Sequence, residues 1–257
     1  MISIIPGVLT PTHVRLLELV GRTAEQYDAP NLRLEGGTAL AAYYLGHRES
    51  EDLDFFGDPE LNARHFLDAV IPGARNEGFD VETLGSANQG FARALVTDAA
   101  SGVAVKLDFA ASSPFHLAPR EPTPEGMPVA SYRDLCAGKL HAICDRFAER
   151  DFVDLHVILT HGTTGETGEN DIRARFRSML SDLLDSDPGL HPALVGTGLM
   201  QGYNRPIITT LPLRLLVSIG ELEIQRTIRI CAEECAHLSL RDVAGKPDAI
   251  VPPGEST

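Results

Sequence analysis

The sequence predicts an α+β fold in which a mixed β-sheet with flanking helices is followed by a helical region. Short apolar runs alternate with helical segments in the first half of the chain. A proline-rich stretch over 114–128 interrupts this pattern, and helical periodicity dominates from Ser131 onward. We therefore expect a first lobe over 1–128, a helical lobe over 129–243 and a flexible tail over 244–257.

The first half supplies the strands of this sheet. Apolar alternation bounded by turn residues predicts strands over 32–34, 52–56, 79–84, 91–97 and 103–110. In the last of these, Val105, Leu107 and Phe109 face one side, while Lys106 and Asp108 face the other. One face of the sheet therefore packs on the core and the other carries charge.

Helices separate and follow these strands. Apolar residues at helical spacing predict helices over 11–27 and 39–45, and Asp58-Pro59-Glu60 favours the start of a helix that runs through Leu67 and Val70. In the second half, the same periodicity predicts helices over 131–147, 152–160, 172–184 and 211–238, with a polar loop over 161–170.

Composition excludes several classes of protein. A chain of 257 residues with 43% hydrophobic residues buries a full core, and 22 basic against 36 acidic residues argue against a surface that wraps duplex DNA, although nucleic acid can still dock locally. Four cysteines without regular spacing predict reduced thiols in a cytoplasmic protein. The first residues lack a signal-peptide pattern, and the chain holds no apolar stretch of about 18 residues, so we expect no membrane span.

The pair Asp52 and Asp54 is the strongest candidate for chemistry. One residue separates the two on a predicted strand, so both carboxylates project from the same face while Leu53 and Phe55 enter the core. A divalent cation between them relieves their repulsion, and hard oxygen ligands suit Mg²⁺ or Mn²⁺ bound together with substrate phosphates. The alternative is that the pair occurs by chance, as does the similarly spaced pair of Asp185 and Asp187 at the end of a predicted helix.

Gly36-Gly37-Thr38 precedes this pair where a strand turns into a helix. Glycines let backbone N–H groups approach a phosphate, and Thr38 adds a hydroxyl. A phosphate-binding turn and a carboxylate pair are what a nucleoside triphosphate (NTP) requires together. Asp108 offers a third carboxylate as base or metal ligand. The structural alternatives are an ordinary turn in which Thr38 caps the following helix, and an ion pair of Asp108 with Lys106.

Two blocks of sequence resemble the AbiEii/AbiGii (MenT-like) family of nucleotidyltransferase toxins. They are LEGGTALAAYYLGHRESEDLDFF at 34–56 and KLHAICDRFAERDFVDLHVIL at 139–159. The resemblance implies a nucleotidyltransferase-type lobe, an NTP donor and metal-dependent catalysis. It places the triphosphate on Gly36, Gly37, Thr38 and Lys139, the metal on Asp52 and Asp54, and a further acidic site position at Asp154.

The residues of the second block agree in part. Lys139 and Arg146 are seven apart on a predicted helix, so both cations can face one anion. A solvated helix face is the alternative. Asp151 and Asp154 also have the spacing of helix-capping residues. Arg48 and Arg150 either contact phosphates or form surface ion pairs.

Two weaker patterns lie in the second half. Arginines there form either a local basic patch for an RNA end or solvated helix faces; they are Arg173, Arg175, Arg177, Arg226 and Arg229. Cys231 and Cys235 share a helix face near His237, which favours buried thiols over a metal site because a fourth ligand is not evident.

Together these observations predict an enzyme that moves a nucleoside monophosphate from an NTP to an acceptor hydroxyl, using Asp52, Asp54, Asp108 and Lys139. The resemblance implies a bacterial toxin that acts on the 3′ end of tRNA and has a separately encoded antitoxin. A small-molecule nucleotidyltransferase of the aminoglycoside-modifying kind, which suits the acidic charge, and a catalytically silent binding module are the alternatives.

Overall fold

A five-stranded mixed sheet organises the first half of the molecule. The computed structural model describes residues 1–27, 29, 31–86, 88–112, 116–161, 167–212 and 214–245. The strand order is β1-β2-β5-β4-β3; β2 and β5 run parallel and the other neighbours antiparallel. The strands are β1 (Arg33–Glu35), β2 (Asp52–Gly57), β3 (Phe79–Thr83), β4 (Phe91–Asp98) and β5 (Ala104–Ala111). The predicted mixed sheet and α+β class are confirmed.

Helices flank the sheet and make up most of the second half. They are α1 (Pro11–Gln26), α2 (Gly36–Leu40, continued by a π-helical turn over Ala41–Leu45), α3 (Ala63–Asn76), α4 (Tyr132–Asp145), α5 (Glu149–Thr160), α6 (Glu169–Ser186), α7 (Pro192–Gly202) and α8 (Glu221–Gly245). Gly46, in the left-handed conformation with φ of +62°, ends the turn after α2 as predicted.

Two predicted helix boundaries are wrong. The helix expected from Asp58 begins at Ala63 because Asn62 caps it, accepting a hydrogen bond from the His65 N–H. The helix expected over 211–238 is α8, which begins at Glu221 and includes Ala244 and Gly245, while α7 was not predicted. The rest of the expected tail, 246–257, lies outside the described residues, as do 162–166 of the predicted polar loop.

The core lies on the face of the sheet opposite the charged side chains. Leu53 and Phe55 of β2 and Leu107 and Phe109 of β5 are fully buried, and the rings of Phe55 and Phe109 stack with centroids 5.1 Å apart. One hydrophobic cluster continues from this face into α4 to α8. The division into lobes at residue 128 stays a prediction.

Candidate active site

The charged face of the sheet carries a row of polar side chains across four strands. Glu35 of β1 is paired with Asp54 of β2, Asp54 with Asp108 of β5, and Asp108 with Arg93 of β4. Asp52 lies two residues from Asp54 on the same face. The sheet register therefore brings the three predicted carboxylates together.

Asp52 and Asp108 each bind a cation of the sheet. Lys106 Nζ lies 2.6 Å from Asp52 Oδ2, and Arg150 Nη1 lies 3.6 Å from the same oxygen. Arg93 binds both oxygens of Asp108, with Nε and Nη2 each at 2.6 Å. The alternative that pairs Asp108 with Lys106 is wrong, because Lys106 lies opposite Asp52 in the register.

Asp54 differs from its neighbours because it makes no hydrogen bond or ion pair with any residue that the structure describes. Burial raises the pKa of Asp54, and the nearby charges of Asp108 and Asp52 raise it further. A carboxylate of this kind favours a proton or a cation. The Asp54 carboxylate, at the centre of the site, is therefore free to bind a proton or a cation.

The glycine turn lies directly against Asp54. Gly36 has a φ of +73°, and a Cβ at this position would collide with the Asp54 carboxylate. A Cβ at Gly37 would collide with the guanidinium of Arg48. Glycine is therefore required at both positions for the backbone to approach the carboxylates and the buried arginine.

The Thr38 hydroxyl binds neighbouring residues, whereas the sequence predicts that it contacts a phosphate. Its Oγ1 donates to the carbonyl of Asp52 and also bonds the hydroxyl of Ser50, and the residue is buried. The hydroxyl thus fastens the start of α2 to the start of β2. The backbone N–H of the turn is what remains to contact a phosphate.

These groups line a cleft of about 500 Å³ between the sheet and α4. It contains Asp52, Asp54 and Asp108, the glycine turn and the cations Arg48, Lys139, Arg146 and Arg150. A cleft of this volume accommodates a nucleotide. Every predicted site residue except Asp154 lines it.

Asp154 lies beneath the cleft in a buried ionic cluster, which consists of His47, Arg48, Lys139, Asp151 and Asp154. Arg48 Nε and Nη2 donate to the two oxygens of Asp154 at 2.7 and 2.9 Å, and His47 Nε2 donates to Oδ1 at 2.7 Å. Lys139 Nζ lies 2.8 Å from Asp154 and 2.8 Å from Asp151. The cluster holds the Lys139 ammonium in place at the cleft.

The electrostatics of this cluster follow from burial. Burial alone would raise the pKa of Asp154, but the charges of Lys139 and Arg48 outweigh it and hold that pKa well below its usual range. Burial lowers the pKa of His47, whose Nδ1 has no hydrogen-bond partner among the residues that the structure describes. A neutral His47 leaves two cations balanced by two carboxylates.

The alternative in which Asp151 or Asp154 only caps a helix is wrong. Ala148 is the N-cap of α5 and makes no side-chain cap, while both aspartates lie inside the helix with their carboxylates bound by Lys139. Arg146 also departs from expectation. It follows the end of α4 with extended backbone, rather than continuing the helix of Lys139, yet it still lines the cleft and its Nε lies 3.3 Å from Asp151.

The arginines of the second half do not form the free basic patch that was one of their two interpretations. Glutamates of α6 and α8 pair with most of them: Arg173 with Glu233 at 2.6 Å, Arg177 with Glu234 at 2.5 Å, and Arg229 with Glu169 at 3.0 Å. Arg226 also lies 3.8 Å from Glu169, and Arg175 donates to backbone carbonyls. These side chains join helices together.

The predicted buried thiols are confirmed. Cys231 and Cys235 are buried in α8, whereas His237 is exposed. In the described ranges of the chain, no group of three or more His, Cys, Asp or Glu side chains is arranged to hold a metal ion by itself. A metal at the sheet would therefore take one or two carboxylates and complete its ligands from substrate, as Mg²⁺ commonly does.

Three residues, two of the polar row and one of the buried cluster beneath it, were not predicted from the sequence. Glu35 and Arg93 join the polar row through the register of β1 and β4, and nothing in the local pattern around either residue indicates it. His47 was also missed, although it adjoins Arg48 in sequence. Arg48 and Arg150 were expected either to contact phosphates or to form surface ion pairs; both line the cleft, and Arg48 is buried and bound to Asp154.

A sheet with carboxylates on β2 and β5, beside a glycine turn and cations in one cleft, defines a nucleotidyltransferase. The family model described as the nucleotidyl transferase AbiEii toxin of type IV toxin–antitoxin systems matches residues 19–215. The chain belongs to this AbiEii family of nucleotidyltransferase toxins. The resemblance drawn from the sequence is confirmed.

Solved structures support the same fold. MenT4, a nucleotidyltransferase toxin from Mycobacterium tuberculosis H37Rv, is 19% identical with a TM-score of 0.52, over 90% of this chain and 86% of that one. A protein from H. pylori assigned as a nucleotidyltransferase is 20% identical with a TM-score of 0.50, over 93% of this chain and all of that one. A comparison with curated proteins finds no match. None of the described helices is both long and apolar enough to cross a bilayer.

Proposed function

We propose that this enzyme transfers a nucleoside monophosphate from an NTP to the 3′-terminal hydroxyl of tRNA. The observation that carries the proposal is the free, mostly buried carboxylate of Asp54, next to Gly36 and in one cleft with Lys139. The acceptor oxygen attacks the α-phosphorus, the bond to the β-phosphate breaks, and pyrophosphate leaves with the bonding electrons. The hydroxyl proton passes to a carboxylate of the row.

The carboxylates fit a divalent metal. Asp54 offers hard oxygens without a competing partner in the described chain, and one of its neighbours, Asp52 or Asp108, supplies a second ligand. Such an ion, Mg²⁺ or Mn²⁺, supplies Lewis-acid stabilisation of phosphate charge when bound. Lys106 and Arg93 hold Asp52 and Asp108 in position.

The cations at the other end of the cleft suit a triphosphate. Lys139 is fixed by two aspartates, which leaves one of its three N–H groups for a ligand. Arg146 and Arg150 are half-exposed and line the same cleft. Together with the backbone of Gly36 and Gly37, they neutralise the charge that develops on the leaving pyrophosphate.

The tRNA end suits this site because the cleft has the volume of a nucleotide site and the arginines of α6 and α8 are paired. An acidic protein whose α6 and α8 arginines are bound to glutamates offers little to the body of an RNA. A single-stranded 3′ end needs only the cleft. Membership of a toxin family of type IV toxin–antitoxin systems supports the role of a toxin with a cognate antitoxin as partner. We propose that it acts in the cytoplasm.

Incubation with each α-³²P-labelled NTP, Mg²⁺ and total tRNA tests the proposal. We expect one or more of the four NTPs to label a tRNA-sized band, and periodate-oxidised tRNA, which lacks the terminal diol, to stay unlabelled. A panel of aminoglycosides serves as the competing acceptor. Label on an aminoglycoside but not on tRNA contradicts the proposal. So does the absence of label on every acceptor, both with Mg²⁺ and with EDTA.

A further inference from the structure

Two phenylalanines face the cleft beside the carboxylates. In the sheet register, Phe56 of β2 is paired with Ala110 of β5, and Ala110 with Phe91 of β4. This row adjoins the polar row of Asp54, Asp108 and Arg93. It lies on the same face, because each member is two residues along its strand from a member of the polar row. All three residues line the cleft. We call them the aromatic slot.

The dimensions of the slot suit a flat ring. Neighbouring strands lie about 4.8 Å apart, so the backbones that carry Phe56 and Phe91 are roughly 9.6 Å apart with Ala110 between them. A ring stacked between two others needs about 7 Å, from two carbon contacts of about 3.5 Å. The small side chain of Ala110 forms a low floor between two aromatic walls.

Phe91 is unusual for a large apolar side chain on this sheet. It is 37% exposed, whereas Phe55 and Phe109 on the opposite face are fully buried. The Arg93 guanidinium, which binds Asp108, lies 5.2 Å from the centre of its ring. An exposed aromatic ring beside a cation offers a stacking surface for a nucleobase.

The slot lies on the opposite side of the carboxylates from the phosphate-binding groups. β1 is antiparallel to β2, so the chain that leaves β1 at Glu35 and enters Gly36 runs alongside β2 from Asp54 toward Asp52. At that end, Thr38 donates a hydrogen bond to the Asp52 carbonyl. Phe56 lies in the other direction along β2. In phosphoryl transfer the attacking and leaving oxygens are roughly in line on opposite sides of the phosphorus. The slot is therefore on the acceptor side.

We propose that the aromatic slot stacks the terminal nucleobase of an RNA acceptor and so places its ribose hydroxyl against the carboxylate row. The inference rests on the proposed nucleotidyl transfer and specifies its acceptor as a nucleic acid end. Base stacking suits two flat apolar walls, whereas an aminoglycoside has no planar aromatic ring to stack there.

Fluorescence and kinetics test the slot together. A short ribo-oligonucleotide with 2-aminopurine at its 3′ end loses fluorescence when that base stacks, which requires no catalysis. We expect quenching with the wild type, its loss with Phe91→Ala, and its retention with Phe91→Tyr. Acceptor KM should rise about 5- to 100-fold in Phe91→Ala, while the KM for NTP changes less than about twofold.

Two further variants separate the slot from general damage. Ala110→Ile fills the floor and should also abolish quenching, whereas Tyr27→Ala removes an exposed aromatic ring outside the cleft and should change nothing. Thermal unfolding establishes that each variant is folded. A raised KM for NTP alone, or quenching and acceptor KM unchanged in Phe91→Ala, overturns the slot.

The outcomes also distinguish this inference from the proposed function. Transfer to tRNA that depends on Asp54 but is indifferent to Phe91 and Ala110 supports the function and overturns the slot. Quenching that depends on Phe91, without nucleotide transfer to any acceptor, supports base binding in the slot and contradicts the function.

Discussion

Replacement of Asp154 by alanine removes the carboxylate at the centre of the buried ionic cluster. Asp154 is fully buried and accepts hydrogen bonds from Arg48 and His47 besides its ion pair with Lys139. In the variant, the charges of Arg48 and Lys139 face a single remaining buried carboxylate, that of Asp151. We therefore expect a large loss of stability although Asp154 does not line the cleft.

The magnitude follows from the cost of an uncompensated buried charge. Removing one partner of a buried ion pair costs about 3–5 kcal/mol. For a chain of this size each kcal/mol lowers Tm by about 2–4 °C, so the expected decrease in Tm is about 6–20 °C. Urea unfolding followed by circular dichroism measures the free energy of unfolding directly.

Asp68→Ala is the matched control. Asp68 pairs with Arg64 one helical turn away, and both side chains are 47% exposed. Exposed pairs of this type contribute about 0.3–0.5 kcal/mol. A loss of less than about 1 kcal/mol in Asp154→Ala, close to that of the control, would refute the role assigned to the buried cluster.

A double variant tests the pairing itself. Arg48→Met with Asp154→Leu removes one charge of each sign and leaves Lys139 paired with Asp151. The double variant should be more stable than the sum of the two single losses predicts, by at least about 1 kcal/mol. Strict additivity would show that Arg48 and Asp154 do not stabilise each other.

Three other perturbations give separate outcomes. Gly36 and Gly102 share a φ of +73°, so alanine at either position should cost about 1 kcal/mol of stability. Only Gly36→Ala, whose Cβ would meet Asp54, should lose transferase activity. Equal activities of the two variants would contradict this. Burial lowers the pKa of His156, so between that pKa and about 6.5 the unfolded chain binds a proton that the folded chain does not. Lowering the pH from 7.5 to 5.5 should therefore cost the wild type up to about 1.4 kcal/mol more than His156→Gln in urea unfolding, and parallel losses would disprove it. Lys106→Met removes the ammonium from Asp52, so Mn²⁺ should bind about fivefold tighter by electron paramagnetic resonance; unchanged affinity argues against Asp52 as a ligand.

Local patterns predict the parts of the site that depend on neighbouring residues. Alternation along β2 is enough to place Asp52 and Asp54 on one face, and the glycine turn follows β1 directly in sequence. The carboxylate pair and the glycine turn can therefore be predicted from the sequence alone.

Contacts between distant segments of the chain cannot be predicted from such local patterns. Arg93 meets Asp108 only because β4 and β5 pair in one register, and a shift of one residue would turn Arg93 to the other face. Arg48 meets Asp154 across 106 positions of sequence. Arg146 was assigned to the helix of Lys139 because no proline or glycine marks the end of α4, whereas the backbone becomes extended at this residue.

The rate of nucleotide transfer in Asp54→Asn tests the central claim most directly. Asparagine keeps the size of the side chain but removes the charge of the one carboxylate of the row without a partner in the described chain. Labelled NTP and tRNA should give a rate at least about 100-fold below wild type, with Tm unchanged or raised, while Asp80→Asn on the exposed side of β3 keeps the wild-type rate. An Asp54→Asn variant that is folded and transfers nucleotides at the wild-type rate would contradict the account.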